Sequence, residues 1–98
     1  MQYQFYSDSG HGWLKVPVKK LIELGIDQRI SKFSYLSPDG RHAFLEEDCD
    51  MSLFADVLTC KGEGFEFRTH HSDHSKIRIY PGYQPDWVEQ NRQALLVW

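Results

Sequence analysis

The amino-acid sequence predicts a single α+β domain over residues 1–98, with a mainly antiparallel sheet of four to six strands and two or three helices on one side. Three observations predict this class. The chain has 98 residues, 41% of them hydrophobic, which is enough for one packed core. Several short segments alternate apolar and polar residues, as half-buried strands do. Other segments place apolar residues at helical spacing and end at glycine or proline.

The first elements are two strands joined by a turn. Residues 2–6 alternate polar and aromatic residues, which predicts a strand. Gly10 and Gly12 predict a tight turn in which Asp8 or Ser9 accepts hydrogen bonds from backbone N–H groups. Residues 13–16 then form the second strand. We expect Trp13, at its start, to pack in the core beside Phe33 or Tyr35.

A helix and a hairpin follow. Pro17 is compatible with a first helical turn and Gly25 with a helix end, and the apolar residues between them have helical spacing. Residues 30–36 and 41–45 alternate again. They flank Ser37-Pro38-Asp39-Gly40, whose proline and glycine fit a type I turn. This pattern predicts an antiparallel hairpin.

The second half predicts two helices and two strands. Asp48 or Asp50 is expected to cap a helix that continues to about Thr59, and Asp86 is expected to cap a last helix. Between these helices, residues 65–68 and 76–80 resemble strands. They would be joined by a histidine-rich loop over residues 69–75.

Composition excludes several classes of function. The net charge of -3 and the pI of about 5.9 exclude strong nonspecific attraction to nucleic acid. No apolar run approaches the roughly 18 residues that a membrane-spanning helix needs, and the N-terminus has no signal-peptide pattern. Cys49 and Cys60 are expected to be unpaired. These features predict a cytoplasmic protein with no membrane association.

Four carboxylates occur within five residues: Glu46, Glu47, Asp48 and Asp50. Hard cations bind such oxygen ligands, but the EF-hand spacing is absent. Carboxylates are also favoured at a helix N-terminus by the helix dipole, which is the interpretation we adopt. The segment remains an alternative acidic surface for partner binding.

The histidine-rich segment contains His70, His71 and His74 together with Asp73. His70 and His74 would suit zinc if they lay on one helix. The flanking strand patterns favour a solvated loop instead, so we predict no metal site and no cofactor. The alternative function is a small metal-binding regulator or metal-dependent enzyme that uses the histidine and acidic groups.

Catalytic signatures are also weak. Ser7, Asp8, Ser9 and His11 include the residue types of a nucleophilic triad, but there is no Gly-x-Ser-x-Gly motif. The glycines form no phosphate-binding loop. The sequence therefore predicts a protein that is not an enzyme.

The candidate partner-binding surface combines the only basic neighbourhood with nearby aromatic residues. Exposed clustered features of this kind serve binding more often than packing. The residues assigned to it are Arg68, His70, His71, His74, Lys76, Arg78, Tyr80 and Trp87.

Several segments together resemble small uncharacterised proteins encoded by bacterial phages and plasmids. They are SDSGHGWLKV (7–16), LGI (24–26), ISKFSY (30–35) and FLEEDCD (44–50). The resemblance covers roughly residues 3–56 and residues 75–80. It implies a mobile-element context, in which compact proteins without enzyme motifs often act by binding, as anti-CRISPR inhibitors do. We therefore expect a noncatalytic protein that inhibits a host defence complex of the CRISPR type by steric occlusion.

Overall fold

The computed structural model describes residues 2–73 and 75–97. Within these residues five strands form one sheet: β1 (Gln2–Ser7), β2 (Gly12–Pro17), β3 (Tyr35–Leu36), β4 (His42–Glu46) and β5 (Glu66–His71). The α-helices are α1 (Val18–Glu23), α2 (Asp50–Cys60), α3 (Pro85–Gln90) and α4 (Arg92–Leu96). Two 3-10 helices span Asp27–Arg29 and Lys76–Ile79.

The sheet is mixed but mostly antiparallel, so the predicted α+β class is confirmed. Its strand order is β3-β4-β2-β1-β5. The pairs β1–β2, β2–β4 and β3–β4 are antiparallel, whereas β5 is parallel to β1. A parallel neighbour requires a long crossover, and here α1, the β3–β4 hairpin and α2 lie between β1 and β5 in sequence.

The main core lies between one face of the sheet and the α-helices. Strand residues with the same parity share this face, as the pleat requires. The strands contribute Tyr3, Phe5, Leu14, Val16, Ala43 and Leu45, and the helices contribute Val18, Leu21, Ile22, Phe54, Leu58, Val88 and Leu95. The predicted positions of β1, β2 and α1 are confirmed.

A second, smaller cluster covers part of the opposite sheet face. Its buried members are Trp13, Phe44 and Ile77, and Tyr6, Tyr35 and Tyr80 pack around them. Ile77 comes from the second 3-10 helix, so this short segment is what shields Trp13 and Phe44 from water. Both faces of the sheet therefore contribute hydrophobic stabilisation.

The predicted strand over residues 76–80 is wrong, and so is the predicted hairpin with residues 65–68. Ile77 is 4% exposed and Ile79 is 84% exposed, although alternation would place both on one strand face. A 3-10 helix has three residues per turn, which brings Ile77 and Tyr80 to the same side. The Ser75 hydroxyl accepts a hydrogen bond from the Ile77 N–H at 3.2 Å and starts the turn.

The predicted strand over residues 30–36 is correct only at Tyr35–Leu36. The residues before it turn around a buried carboxylate. Asp50 accepts hydrogen bonds from the Ser31 N–H, the Ser31 hydroxyl and the Ser34 hydroxyl, at 3.0, 2.7 and 2.5 Å. A buried carboxylate is stable only when donors of this kind satisfy it. The hydrogen bonds to Asp50 therefore hold residues 31–34 in a turn, although their sequence alternates as in a strand. The following 37–40 turn is confirmed, with the Gly40 N–H donating to the Ser37 carbonyl at 2.9 Å.

Helix caps differ from the prediction. The side chains of Asp48 and Asp50 do not cap α2, because Cys49 occupies the cap position and Asp50 turns inward to the serines. At the C-terminus Gln84 precedes α3, whose first residue is Pro85, and Asp86 lies in its first turn. The single last helix of the prediction is two helices, with a break at Asn91.

In the part of the chain that the structure describes, no helix is both long and apolar enough to span a bilayer. Cys49 and Cys60 are free thiols, and both are exposed.

Candidate functional site

A cleft of about 300 Å³ opens on the sheet face that carries the second cluster. We call it the aromatic cleft. Its lining combines three aromatic side chains with groups of both charges: Trp13, Phe33, Tyr35, His11, Lys32, Arg78, Glu46 and Asp48, with Cys49 at the edge. These residues come from β2, β3, β4 and the second 3-10 helix and from the loops beside them, so the site exists only in the folded protein.

Trp13 forms the floor of this cleft. Only 2% of the residue is exposed, and its ring meets Tyr35 edge-to-face at a centroid distance of 6.1 Å. This confirms the expectation that Trp13 is buried beside Phe33 or Tyr35, and the ring contact is with Tyr35. The indole Nε1–H is buried and has no hydrogen-bond partner among the described residues. Buried indole N–H groups usually have a partner, so this donor is an exception to the usual pattern.

Arg78 closes one side of the cleft. Its guanidinium carbon lies 5.4 Å from the centroid of the Trp13 ring, within cation–π range. The same guanidinium donates from Nε and Nη2 to the two carboxylate oxygens of Asp8, the second at 2.9 Å. Because the Trp13 ring and the Asp8 carboxylate are both held in the fold, their contacts restrict the position of the Arg78 guanidinium.

Asp8 connects this wall to the β1–β2 turn. Its Oδ1 also accepts hydrogen bonds from the backbone N–H groups of Gly10 and His11 at 3.0 and 2.9 Å, as the sequence predicts. The Arg78 hydrogen bonds, followed by the Gly10 N–H, hold the pKa of Asp8 well below its usual range. Asp8 therefore stays ionised and keeps Arg78 in place at neutral pH.

The opposite side of the cleft is the turn before β3. The turn is closed by the Ser34 N–H, which donates to the Ser31 carbonyl at 3.3 Å, and is held from below by Asp50. This anchoring leaves Phe33 59% exposed at the rim. The ammonium of Lys32 lies 5.8 Å from the centroid of the Phe33 ring. An exposed aromatic ring beside a cation is typical of a contact surface and contributes little to folding.

The remaining wall is polar. Glu46 is buried, and its Oε2 accepts the Asp48 N–H at 2.8 Å while Oε1 lies 3.7 Å from His11 Nδ1. Loss of solvation raises the pKa of the Cys49 thiol, and the Glu46 hydrogen bond and nearby carboxylates act in the same direction. The thiol is therefore protonated at neutral pH and is a poor nucleophile.

A second cleft of about 360 Å³ lies on the same sheet face. It includes Lys15 and Phe44 from the sheet and Lys76 and Tyr80 from the segment that also carries Arg78. The second 3-10 helix thus contributes Arg78 to the aromatic cleft and Lys76 to the second cleft.

The residues predicted to bind a partner are divided among several places. Arg78 lines the aromatic cleft, and Lys76 and Tyr80 line the second cleft. Arg68 is exposed on β5, and Trp87 packs in the main core on the helical side. The structure therefore does not bring Trp87 into the clefts with the others.

The histidines belong to strand β5 and not to the predicted loop, as far as the structure describes them. His70 stacks on Tyr6 at 5.1 Å, and its Nε2 lies 2.6 Å from Gln4 Oε1. His71 Nδ1 lies 3.1 Å from Ser7 Oγ. His74 lies outside the described residues.

The alternative acidic surface is only half exposed. Glu46 and Asp50 are buried and bonded to neighbours, while Glu47 and Asp48 are exposed. The packing of β4 and α2 explains this division. Burial of an unpaired carboxylate would be costly, and the backbone and serine donors satisfy the two inward groups.

Neither metal nor triad chemistry finds a formed site in residues 2–73 and 75–97. No group of three or more His, Cys, Asp or Glu side chains there is arranged to hold a metal ion. Ser7, His71 and Asp73 lie in a row, but the His71–Asp73 distance is 3.7 Å and both side chains are largely in water. A solvated acid at that distance does not orient a catalytic histidine.

Sequence reasoning missed Lys32 and Phe33 as site residues and the role of Asp8 in positioning Arg78. A signal for the first pair was present: Ser31 and Ser34 flank them, and both are turn residues. The Asp8–Arg78 pair joins residues 70 positions apart, and no local pattern indicates it.

Comparison of the chain with protein-family models gave no match, and comparisons with curated proteins and with solved structures gave none either.

Proposed function

We propose that this chain is a noncatalytic protein-binding protein that contacts its partner through the aromatic cleft. The observation that carries the proposal is the exposed Phe33 ring beside a floor of Trp13 and a wall of Arg78. Tryptophan, tyrosine and arginine dominate the energetics of protein interfaces, and they do so in preformed, well-packed pockets. The Asp8 and Asp50 hydrogen bonds provide that preorganisation.

The chemistry of the cleft fits binding better than catalysis. The Cys49 thiol has a raised pKa, and the 3.7 Å between His11 and Glu46 exceeds a hydrogen bond. An activated nucleophile needs a base within hydrogen-bond reach. A lining of aromatic rings with both cations and carboxylates instead suits the mixed side chains of a protein partner.

The partner class rests on the resemblance to phage- and plasmid-encoded proteins. We infer that the partner is a host defence complex of the CRISPR type in the bacterial cytoplasm, and that inhibition is steric. The described residues form a body of 36 × 31 × 21 Å, which is large enough to cover a nucleic-acid channel or a subunit interface. Lys76 and Tyr80, which line the second cleft on the same sheet face, would extend the contact beyond the aromatic cleft.

A phage-restriction assay tests this function. Bacteria with an active CRISPR-type defence against a phage are transformed with the wild-type chain, with Phe33→Ala, or with Val97→Ala as a matched exposed control. Val97 is 84% exposed after α4, on the helical side. We expect wild type and Val97→Ala to restore plaques and Phe33→Ala to do so at least tenfold less. Unchanged restriction by cells that express folded wild-type protein, across the defence types tested, would contradict the inhibitor proposal.

A further inference from the structure

The two edges of the sheet are finished differently. At the β3 edge the strand has only two residues, and its outer side is occupied by the chain at Pro81–Tyr83. The Leu36 N–H donates to the Pro81 carbonyl at 2.8 Å, and the Tyr83 N–H donates to the Ser34 carbonyl at 2.9 Å. This edge is closed to other strands.

The β5 edge is open by comparison. β5 has six residues, contains neither proline nor glycine, and pairs within the described chain only with β1. Five of its six residues are exposed, including Phe67 at 43%. Natural proteins usually protect such an edge, because its unpaired N–H and C=O groups template a further strand.

The register with β1 identifies which backbone groups point outward. Ser7 is opposite His71, and the Ser72 N–H donates to the Ser7 carbonyl at 2.9 Å. In a parallel ladder, a residue on one strand hydrogen-bonds to the two residues that flank its opposite residue on the other strand. Ser7 therefore bonds to His70 and Ser72, and the backbone groups of these two residues point toward β1. By alternation, the backbone groups of Phe67, Thr69 and His71 point away from the sheet.

We propose that β5 pairs antiparallel with β5 of a second copy of this chain, about a twofold axis at Phe67. An antiparallel hydrogen-bonded pair can be centred on Phe67, because its N–H and C=O both point outward. Each exposed Phe67 then lies opposite its own copy. The two five-stranded sheets become one continuous sheet of ten strands.

Charge complementarity selects this register and this partner. With Phe67 at the axis, Glu66 of each copy lies opposite Arg68 of the other, in non-hydrogen-bonded pairs whose side chains are close. The attraction is therefore present twice. Moving the axis to Arg68 would place the two guanidinium groups opposite each other, and moving it to Thr69 would place Arg68 opposite His70. An isologous contact requires this kind of self-complementarity.

The two residues whose charges define the register, Glu66 and Arg68, can be substituted without loss of the monomer fold. Glu66 and Arg68 are exposed, and neither side chain makes a hydrogen bond or ion pair within the described residues. Glu66→Arg places like charges across the axis, and Arg68→Glu does the same with the opposite sign. In a heterodimer of the two variants, formed from an equimolar mixture, both pairs of residue 66 with residue 68 are again oppositely charged.

Sedimentation velocity over a concentration series tests the proposal, with circular dichroism to verify that each variant is folded. We expect wild type to form a dimer and each single variant to weaken dimerisation about tenfold or more, since a lost attraction and a new repulsion each act twice. The mixture should recover the wild-type affinity as a heterodimer. Glu23→Arg, an exposed charge reversal at the end of α1, should dimerise as wild type does.

Three results would overturn the proposal. They are a wild-type chain that remains monomeric at about millimolar concentration, single variants that dimerise as wild type does, or a mixture that stays monomeric. The first result would leave the β5 edge to a strand of a different protein. None of these results bears on the aromatic cleft, so the two proposals are tested separately.

Discussion

Arg78 and Asp8 form a two-point ion pair that ties the second 3-10 helix to the β1–β2 turn across 70 positions of sequence. Both carboxylate oxygens accept from the guanidinium, and Oδ1 also accepts from two backbone N–H groups. The pair places the guanidinium over Trp13 and thereby fixes one wall of the aromatic cleft. A charge reversal at Arg78 would therefore disturb the fold as well as any binding surface.

The first prediction concerns pH. The folded-state pKa of Asp8 is lowered, so its ionised form stabilises the fold above the unfolded value of about 3.9. This contribution is lost progressively as the pH falls from that value toward the lower pKa of Asp8 in the folded state. We expect Asp8→Asn to lower the melting temperature at neutral pH, and the difference from wild type to shrink in acid. A constant difference between pH 7 and pH 2 by calorimetry would contradict the assigned role.

The second prediction concerns the turn before β3. Asp50 accepts three hydrogen bonds from Ser31 and Ser34, and Asp50→Ala leaves the buried Ser34 hydroxyl without its acceptor. We expect the free energy of unfolding to fall by about 2–4 kcal/mol in urea denaturation. The exposed neighbour is the control: Asp48→Ala should change it by less than about 0.5 kcal/mol. Equal effects of the two substitutions would show that Asp50 is not the anchor.

The third prediction separates the floor of the cleft from its rim. Trp13 is fully packed, so Trp13→Ala should lower the free energy of unfolding by about 3–5 kcal/mol. Phe33 is 59% exposed, so Phe33→Ala should change it by less than about 0.5 kcal/mol. Guanidinium denaturation followed by circular dichroism measures both. A stable Trp13→Ala protein would mean that the ring is a surface contact and not a core residue.

The fourth prediction uses two glycines with different surroundings. A Cβ on Gly12 would lie 2.3 Å from the Phe5 ring, whereas one on Gly64 would meet nothing within 4 Å. Gly12→Ala should therefore destabilise the fold by about 1–3 kcal/mol, because Phe5 is held in the main core. Gly64→Ala should be neutral or stabilise it by up to about 1 kcal/mol. Thermal melts that rank the two variants in the opposite order would disprove the close approach.

The sequence predicted the parts of the fold that depend on neighbouring residues. The strand alternation around Tyr3 and Phe5, the Gly25 stop and the 37–40 turn are local patterns, and each is found where it was expected. Gly25 adopts a φ of +75°, which explains why glycine ends α1.

The errors came from contacts between distant residues. The parallel pairing of β5 with β1 depends on a crossover that no short pattern encodes. At residues 76–80, Ile77 and Ile79 alternate as in a strand, but only Ile77 is buried, because the place it fills lies against Trp13 and Phe44. Ser75 and the three-residue spacing from Ile77 to Tyr80 were the local signals of a 3-10 helix.

The candidate site was predictable only in part. A buried Trp13 beside Phe33 or Tyr35 was expected from the sequence, and Arg78 was among the predicted contacts. Trp13, Tyr35 and Arg78 come together in one cleft because Asp8 binds Arg78 and Asp50 holds the turn before β3. Both interactions join residues that are distant in sequence. The clustering of basic residues indicated a binding surface but placed Lys76 and Arg78 on a strand that does not form.

The measurement that tests the central claim most directly is quantitative affinity capture from a bacterial host lysate. Three tagged baits are compared by mass spectrometry: wild type, Phe33→Ala and the exposed control Val97→Ala. If the aromatic cleft is the contact site, wild type and Val97→Ala should retain the same partner in stoichiometric amount, and Phe33→Ala should retain at least tenfold less while its melting temperature is unchanged. Equal recovery of the partner by Phe33→Ala would contradict the assignment of the aromatic cleft, and the absence of any stoichiometric partner would contradict the binding function itself.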